Sequence, residues 1–168
     1  RRQRQMCIRD RMKSMPFDTA KAFAPIGLAV QSPFIMVASS TSSIQSFDDA
    51  LAAARSKRLS FASTGSGTAD HLSMELLALQ SGVTMTHVPY KGTGPALADL
   101  MGGHVDLMFA NVVAAAPLVK SGKLRALAAS TARRSPSLPE VRTVAEATGK
   151  PFDVSAVSYT HLTLPTKA

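Results

Sequence analysis

Short apolar runs alternate with amphipathic segments through the middle of the chain. Runs of four to six apolar residues bounded by polar or turn residues are typical of buried strands, and apolar positions three or four apart are typical of helices. The pattern predicts strands over residues 25–30, 34–38, 59–62, 85–88, 105–109 and 124–129. It predicts helices from a capping Ser46 through residue 55, and over residues 69–80, 95–101, 112–120 and 143–147.

Strand and helix alternate four times with short connections, which is typical of an α/β fold with a mostly parallel sheet flanked by helices. Pro33 is expected to separate the first two strands, because proline cannot donate to a sheet ladder. The helix over residues 69–80 is expected to bury an apolar face. That face is formed by Leu72, Leu76, Leu77 and Leu79.

A loop of small residues joins the strand over 59–62 to the next helix. The N–H groups at a helix start are unpaired and attract anions, glycines let a ligand approach the backbone, and hydroxyls add donors. In parallel sheets, ligands sit beyond the carboxyl ends of the strands, which also selects the loops near Tyr90 and Asn111. We therefore predict a ligand-binding group, without metal or cofactor. Its members are Ser63, Thr64, Gly65, Ser66, Gly67, Thr68, Tyr90 and Asn111.

Purely structural roles remain open as alternatives at these positions. The loop lacks the lysine of a Walker motif and the third glycine of a dinucleotide fingerprint, so it also fits a tight turn. Asn111 is either the N-cap of the following helix, a ligand-facing amide, or both. Lys91 is either an attractant for an anion or a solvated loop cation.

Catalysis and metal binding have little support in the pattern. A set of Ser66, His71 and Asp106 can be assembled on paper, but no nucleophile motif surrounds the serine, and His71 and Asp106 fit structural hydrogen bonding. No pair of histidines has the i, i+4 spacing of a helical metal site. We therefore predict no catalytic residues and a protein that is not an enzyme.

The two ends of the chain have a peculiar relationship. Residues 5–10 can be encoded as CAG ATG TGT ATA AGA GAC, and the reverse complement of that DNA encodes residues 157–162. The string resembles a transposase end sequence used in preparing sequencing libraries. We therefore predict that residues 1–11 and 157–168 are disordered, adapter-derived ends and exclude them from fold reasoning, which leaves residues 12–156 as the folded part.

This exclusion changes the meaning of the charge. The net charge of +8 would favour nucleic acid or an acidic membrane as partner, but the two ends hold six basic residues and one acidic residue. The middle therefore has a net charge of only +3, and we predict no nucleic-acid partner. The single cysteine, Cys7, lies in the first end, so the middle offers no thiol for a disulfide or metal site.

Five strings in order carry a resemblance to a known family. They are the residues 61–68 (FASTGSGT), 87–92 (HVPYKG), 102–109 (GGHVDLMF), 122–128 (GKLRALA) and 134–139 (RSPSLP). Together they resemble the extracytoplasmic solute receptors of tripartite tricarboxylate transporters, also called the Bug family. The resemblance runs over nearly all of residues 13–154.

The resemblance implies an incomplete fold. Members have two α/β lobes of the type II periplasmic-binding-protein kind, and this chain is expected to hold mainly the second lobe with crossover segments. It implies a monomeric periplasmic protein that captures a small tricarboxylate or dicarboxylate and passes it to membrane permease subunits. A ligand-sensing regulatory lobe, or an enzyme with an anion-binding loop, stays open as an alternative.

Overall fold

The computed structural model describes the backbone of residues 23–163 and the side chains of residues 32–156. The strands are β1 (Phe23–Ser39), β2 (Leu59–Ser63), β3 (Met85–Pro89), β4 (Leu107–Asn111), β5 (Leu124–Ala129) and β6 (Ser155–Thr163). The helices are α1 (Phe47–Ser56), α2 (Ala69–Ser81), α3 (Thr93–Met101), α4 (Val112–Lys120) and α5 (Val144–Thr148). These elements agree closely with the alternation that the sequence predicts.

One sheet organises the unit formed by residues Ser32–Ser155. Its strand order is β3-β2-β4-β1-β5. β2 pairs in parallel with β3 and β4, while β1 runs antiparallel between β4 and β5. Four strands therefore point the same way, which confirms the predicted α/β fold with a mostly parallel sheet, and β1 makes the sheet mixed.

The break predicted at Pro33 is wrong, because β1 runs without interruption from Phe23 to Ser39. An extended backbone tolerates the fixed φ of proline, which removes only one N–H donor. Pairing with β4 begins at Phe34, directly after the proline. Pro33 therefore costs that ladder no hydrogen bond.

Both faces of the sheet are covered. Residues 34–38 of β1 are all buried, as expected of a continuous apolar run in a central strand. On one face, Ile35 and Val37 pack with Leu97 and Leu100 of α3 and Ala115 of α4. α2 also packs on the sheet, against β2 and β4.

The apolar face predicted for α2 is largely wrong. Its buried residues are Asp70, Ser73, Met74, Leu77 and Ala78. Of the four leucines predicted to face inward, Leu77 is buried, while Leu72, Leu76 and Leu79 are exposed. Positions 70, 73–74 and 77–78 share one side of a helix, so turning Leu77 inward places the other leucines outside.

The start of the first helix follows its capping signal. The Ser46 hydroxyl accepts from the Asp49 N–H at 3.1 Å, and the Asp49 carboxylate accepts from the Ser46 N–H at 2.9 Å. This reciprocal pair is a capping box.

The two terminal segments predicted to be adapter-derived lie mostly outside the described residues. β6 nevertheless extends to Thr163, and it pairs with β1. The structure therefore places the backbone of residues 157–163 in a strand, where we expected disorder. The origin of both segments stays a prediction, as does the extent of the folded part.

Candidate functional site

Three parallel strands end side by side at one edge of the sheet. β2 ends at Ser63, β3 at Pro89 and β4 at Asn111, and these strands are neighbours in the order β3-β2-β4. We call this edge, with the loops that leave it, the carboxyl edge. The loops that the sequence selected as ligand-binding all leave the sheet here, as the rule for parallel sheets predicts.

The loop after β2, residues Thr64–Thr68, is called the glycine loop here. Gly65 has φ +148° and Gly67 has φ +77°, backbone conformations that disfavour a side chain. Ser66 lies between them and is exposed. The loop is therefore a tight turn that needs its glycines, as the structural alternative required.

Asp70, in the first turn of α2, holds the start of the glycine loop. Its side chain is only 4% exposed, and its carboxylate accepts from the Thr64 N–H at 2.6 Å and from the Thr64 hydroxyl at 3.0 Å. A buried carboxylate needs such partners to offset its lost hydration. Both donors of Thr64 are therefore directed inward to Asp70.

Other contacts brace the same loop. The Gly65 N–H donates to the Ser63 hydroxyl at 3.3 Å, and the Gly67 N–H donates to Nδ1 of His71 at 3.1 Å. The Thr68 hydroxyl donates to the Gly65 carbonyl at 2.6 Å. Ser63 itself is fully buried. The predicted donors of these residues thus hold the loop in shape, which the sequence did not reveal.

Two helices begin at the carboxyl edge without a side-chain cap among the described residues. Thr68 is the N-cap of α2 and Gly92 is the N-cap of α3, and neither provides a capping side chain. The first backbone N–H groups of a helix have no partner inside the helix, and the helix dipole adds positive potential there. The carboxyl edge is therefore suited to an anion.

Asn111 caps α4 with one end of its amide. Its Oδ1 accepts from the Val113 N–H at 2.9 Å, so the N-cap interpretation is confirmed. Fixing Oδ1 in this way also fixes the orientation of the amide, since the NH₂ group is on the opposite side. The amide therefore keeps its two donors for other groups at the edge.

Tyr90 donates its hydroxyl proton to Asp99 at 2.7 Å. This hydrogen bond, with burial and the negative charge of Asp99 as smaller causes, raises the pKa of Tyr90 above its usual value. The phenol therefore stays neutral at physiological pH. Lys91, the next residue, is exposed.

The structure does not bring together the paper triad of Ser66, His71 and Asp106. The Asp106 carboxylate accepts from the N–H and the hydroxyl of Ser60, both at 2.8 Å. Ser60 is near the start of β2, at the opposite end from the glycine loop. Asp106 therefore ties two strand starts together, as its structural interpretation expected.

Metal binding and membrane spanning find no support in the part of the chain that the structure describes. No group of three or more His, Cys, Asp or Glu side chains among them is placed to hold a metal ion. None of the helices described has both the length and the apolar character needed to cross a membrane.

The sequence profile of the tripartite tricarboxylate transporter family receptors matches residues 5–168. The chain belongs to this family. Its members are receptors rather than enzymes, which confirms the prediction on that point. A UPF0065 protein of a Pseudomonas species is 40% identical over 143 residues, which are 83% of this chain and 43% of the relative. The chain thus spans less than half the length of this relative.

Solved structures give the same picture. A protein of R. palustris solved with adipate is 33% identical with a TM-score of 0.79, covering 89% of this chain and 50% of that one. MatC from Rhodopseudomonas palustris with bound malate is 30% identical with a TM-score of 0.78, covering 90% and 52%. The periplasmic binding protein BugD is 32% identical with a TM-score of 0.76, covering 84% and 48%. This confirms the predicted periplasmic-binding-protein-like lobe and its incompleteness.

Proposed function

We propose that the carboxyl edge binds one carboxylate of a small organic acid, as part of a solute receptor that does not alter its ligand. The observation that carries the proposal is the meeting of two helix starts, α2 and α3, at adjacent parallel strands without a side-chain cap among the described residues. The Asn111 amide stands at the next strand. Oriented N–H donors of this kind match the acceptors of a carboxylate.

This proposal changes the part assigned to the glycine loop. Because the donors of Thr64, Gly65 and Gly67 are used within the loop, we assign it mainly to holding the start of α2 in place. The ligand donors are then the first N–H groups of α2 and α3 and the NH₂ of Asn111. The adipate and malate in two similar structures support a dicarboxylate as ligand class.

The test is Asn111→Asp. Aspartate is as good an N-cap as asparagine, so the bond from the Val113 N–H should persist. The substitution replaces the NH₂ donors with a negatively charged oxygen, and a hydrogen bond to a charged group is worth about 1.5–3 kcal/mol. We expect at least a tenfold weaker affinity for malate and adipate. The affinity is measured from the NMR shift changes of the labelled chain as each ligand is added.

Gln45→Glu is the matched control, because it makes the same amide-to-acid change at an exposed residue before α1. Gln45 follows the end of β1, which runs antiparallel to β4, so it belongs to the opposite edge. The Gln45→Glu variant should bind malate and adipate with the same affinity as the original chain. Equal affinities of a folded Asn111→Asp variant and of this control would refute the proposal.

The remaining parts concern the whole protein. We propose that the complete receptor is a periplasmic monomer that passes its ligand to membrane permease subunits. The family description, which names a transporter, supports a permease partner, and the periplasmic protein BugD supports the location. Uptake of labelled malate by cells that lack their own receptor, dependent on both the complete receptor and the permease, would test this.

A further inference from the structure

Two histidines stack beside the glycine loop. The ring centroids of His71, in the first turn of α2, and His87, in β3, lie 3.8 Å apart with the rings tilted by 21°. The Phe61 ring stacks on His87 at 5.0 Å. Both histidines are partly buried.

The two ring nitrogens of His71 have different neighbours, so its contacts depend on which nitrogen carries a proton. Its Nδ1 accepts the Gly67 N–H at 3.1 Å, which is possible only when that nitrogen carries no proton. The neutral ring then has its proton on Nε2, which faces the Glu75 carboxylate at 3.6 Å. A proton on Nδ1 would oppose the Gly67 N–H, so charging His71 must break this contact.

His87 reaches the other glycine of the loop through a serine. Its Nε2 is 2.6 Å from the Ser63 hydroxyl, which donates to the Gly65 carbonyl and accepts from the Gly65 N–H. The stacked pair thus contacts the loop at Gly67 directly and at Gly65 through Ser63. A charge on one ring is repelled by a charge on the other at this distance.

The charged groups that face the pair act in both directions. Burial, followed by the repulsion of His71, holds the pKa of His87 below its ordinary value, while Glu75 and Asp70 partly oppose this. Asp70 already accepts two hydrogen bonds from Thr64. Glu75 is half exposed, and its carboxylate lies 3.6 Å from Nε2 of His71.

We propose that His71 is a positioning residue for ligand binding, which holds the glycine loop in its binding shape through Gly67 only while the stacked His71–His87 pair is neutral. Protonation of His71 at Nδ1 then breaks the hydrogen bond from the Gly67 N–H and weakens the binding of an organic acid. The inference rests on the proposed function of the carboxyl edge. The coupling between the histidines and the loop does not depend on any ligand.

Two substitutions separate the acceptor from the ring. His71→Asn places an amide oxygen near the position of Nδ1, so it keeps an acceptor for the Gly67 N–H without titrating between pH 8 and pH 5. His71→Phe keeps a ring for stacking and removes the acceptor. Glu75→Gln keeps both and removes the carboxylate next to Nε2.

The first measurement follows the Gly67 amide signal of the ¹⁵N-labelled chain from pH 8 to pH 5. In the original chain and in Glu75→Gln it should move as the pH falls, because both keep the His71 ring. In His71→Asn it should stay near its neutral position, and in His71→Phe it should be displaced at every pH. A Gly67 signal of the original chain that does not move between pH 8 and pH 5 would overturn the inference.

The second measurement is the affinity for malate at pH 7.5 and pH 5.5. The original chain should lose at least threefold more affinity than His71→Asn, and the ionisation of malate itself cancels in this comparison. Equal losses would overturn the positioning role in binding. If no variant binds malate at either pH, the proposed function fails, and the Gly67 signal still decides whether the histidines control the loop.

Discussion

Asp70 is a charged group placed where an anion is expected to bind. Its carboxylate is buried and accepts two hydrogen bonds from Thr64, at 2.6 and 3.0 Å, within the glycine loop. Its position in the first turn of α2 is also favoured by the helix dipole. The residue therefore shapes the glycine loop without removing the donors at the start of the helix.

Replacing Asp70 tests this bracing role. Asp70→Asn keeps the size of the side chain but can accept from only one of the two Thr64 donors at full strength, because its NH₂ group is itself a donor. We expect the free energy of unfolding in urea to fall by about 2 kcal/mol, as for other buried groups that lose a partner. Glu140→Gln, at an exposed residue, is the control and should change stability by less than about 0.5 kcal/mol. A stability loss no larger than that of the control would contradict the role.

His87 makes stability depend on pH in a predictable direction. Its folded pKa lies below the ordinary value of 6.5, so the unfolded chain binds more protons between the two values. The contribution of His87 to the free energy of unfolding should therefore be fully present above pH 6.5. It should fall as the pH drops from 6.5 through the folded pKa.

Urea unfolding between pH 8 and pH 5 measures this loss. The window stays above pH 4.5, the ordinary value of Glu146, whose pKa is lowered by its hydrogen bond to the Thr143 backbone. In His87→Gln the decline below pH 6.5 should be smaller. Stability that rises on acidification in the original chain would contradict the assignment.

The start of α2 follows the sequence pattern, whereas its buried face does not. The loop before the helix marks its start as predicted, and its C-cap, Gly82, has a left-handed conformation. The inward face was mispredicted because three of the four leucines, Leu72, Leu76 and Leu79, lie together on the side of the helix opposite its buried residues. Asp70 and Ser73 can be buried because their side chains form hydrogen bonds, Asp70 with Thr64 and Ser73 with the Ala69 carbonyl. A hydrophobic pattern does not indicate such hydrogen bonds.

The two faces of α2 can be distinguished by one pair of substitutions. Leu77→Ala removes a fully buried side chain and should lower the free energy of unfolding by about 2–5 kcal/mol. Leu79→Ala removes a side chain that is 80% exposed and should change it by less than about 0.5 kcal/mol. Chemical denaturation of both variants checks the orientation, and similar losses would contradict it.

The strand ends of the candidate site could be predicted from the sequence, whereas its side-chain contacts could not. The three strand ends that form the carboxyl edge follow from alternating strands and helices, so Ser63, Tyr90 and Asn111 could be placed there. The contacts of His71 with Gly67 and of His87 with Ser63 depend on how α2 and β3 approach each other. Such distances arise from packing and have no signal in the chain pattern.

The order of strands in the sheet brings the loops of the carboxyl edge together. β3, β2 and β4 are parallel neighbours, so the helices that follow them all begin at one edge. The antiparallel insertion of β1 next to β4 was not predictable from alternation, because the pairing of distant strands is set by the tertiary fold. It does not disturb the three loops, which follow other strands.

A crystal structure of the chain with malate would locate the ligand. We expect a carboxylate at the carboxyl edge, with its oxygens within about 3.2 Å of the first N–H groups of α2 or α3, or of the Asn111 amide. The glycine loop should keep its internal hydrogen bonds. Malate bound elsewhere, with these groups facing away from it, would contradict the central claim.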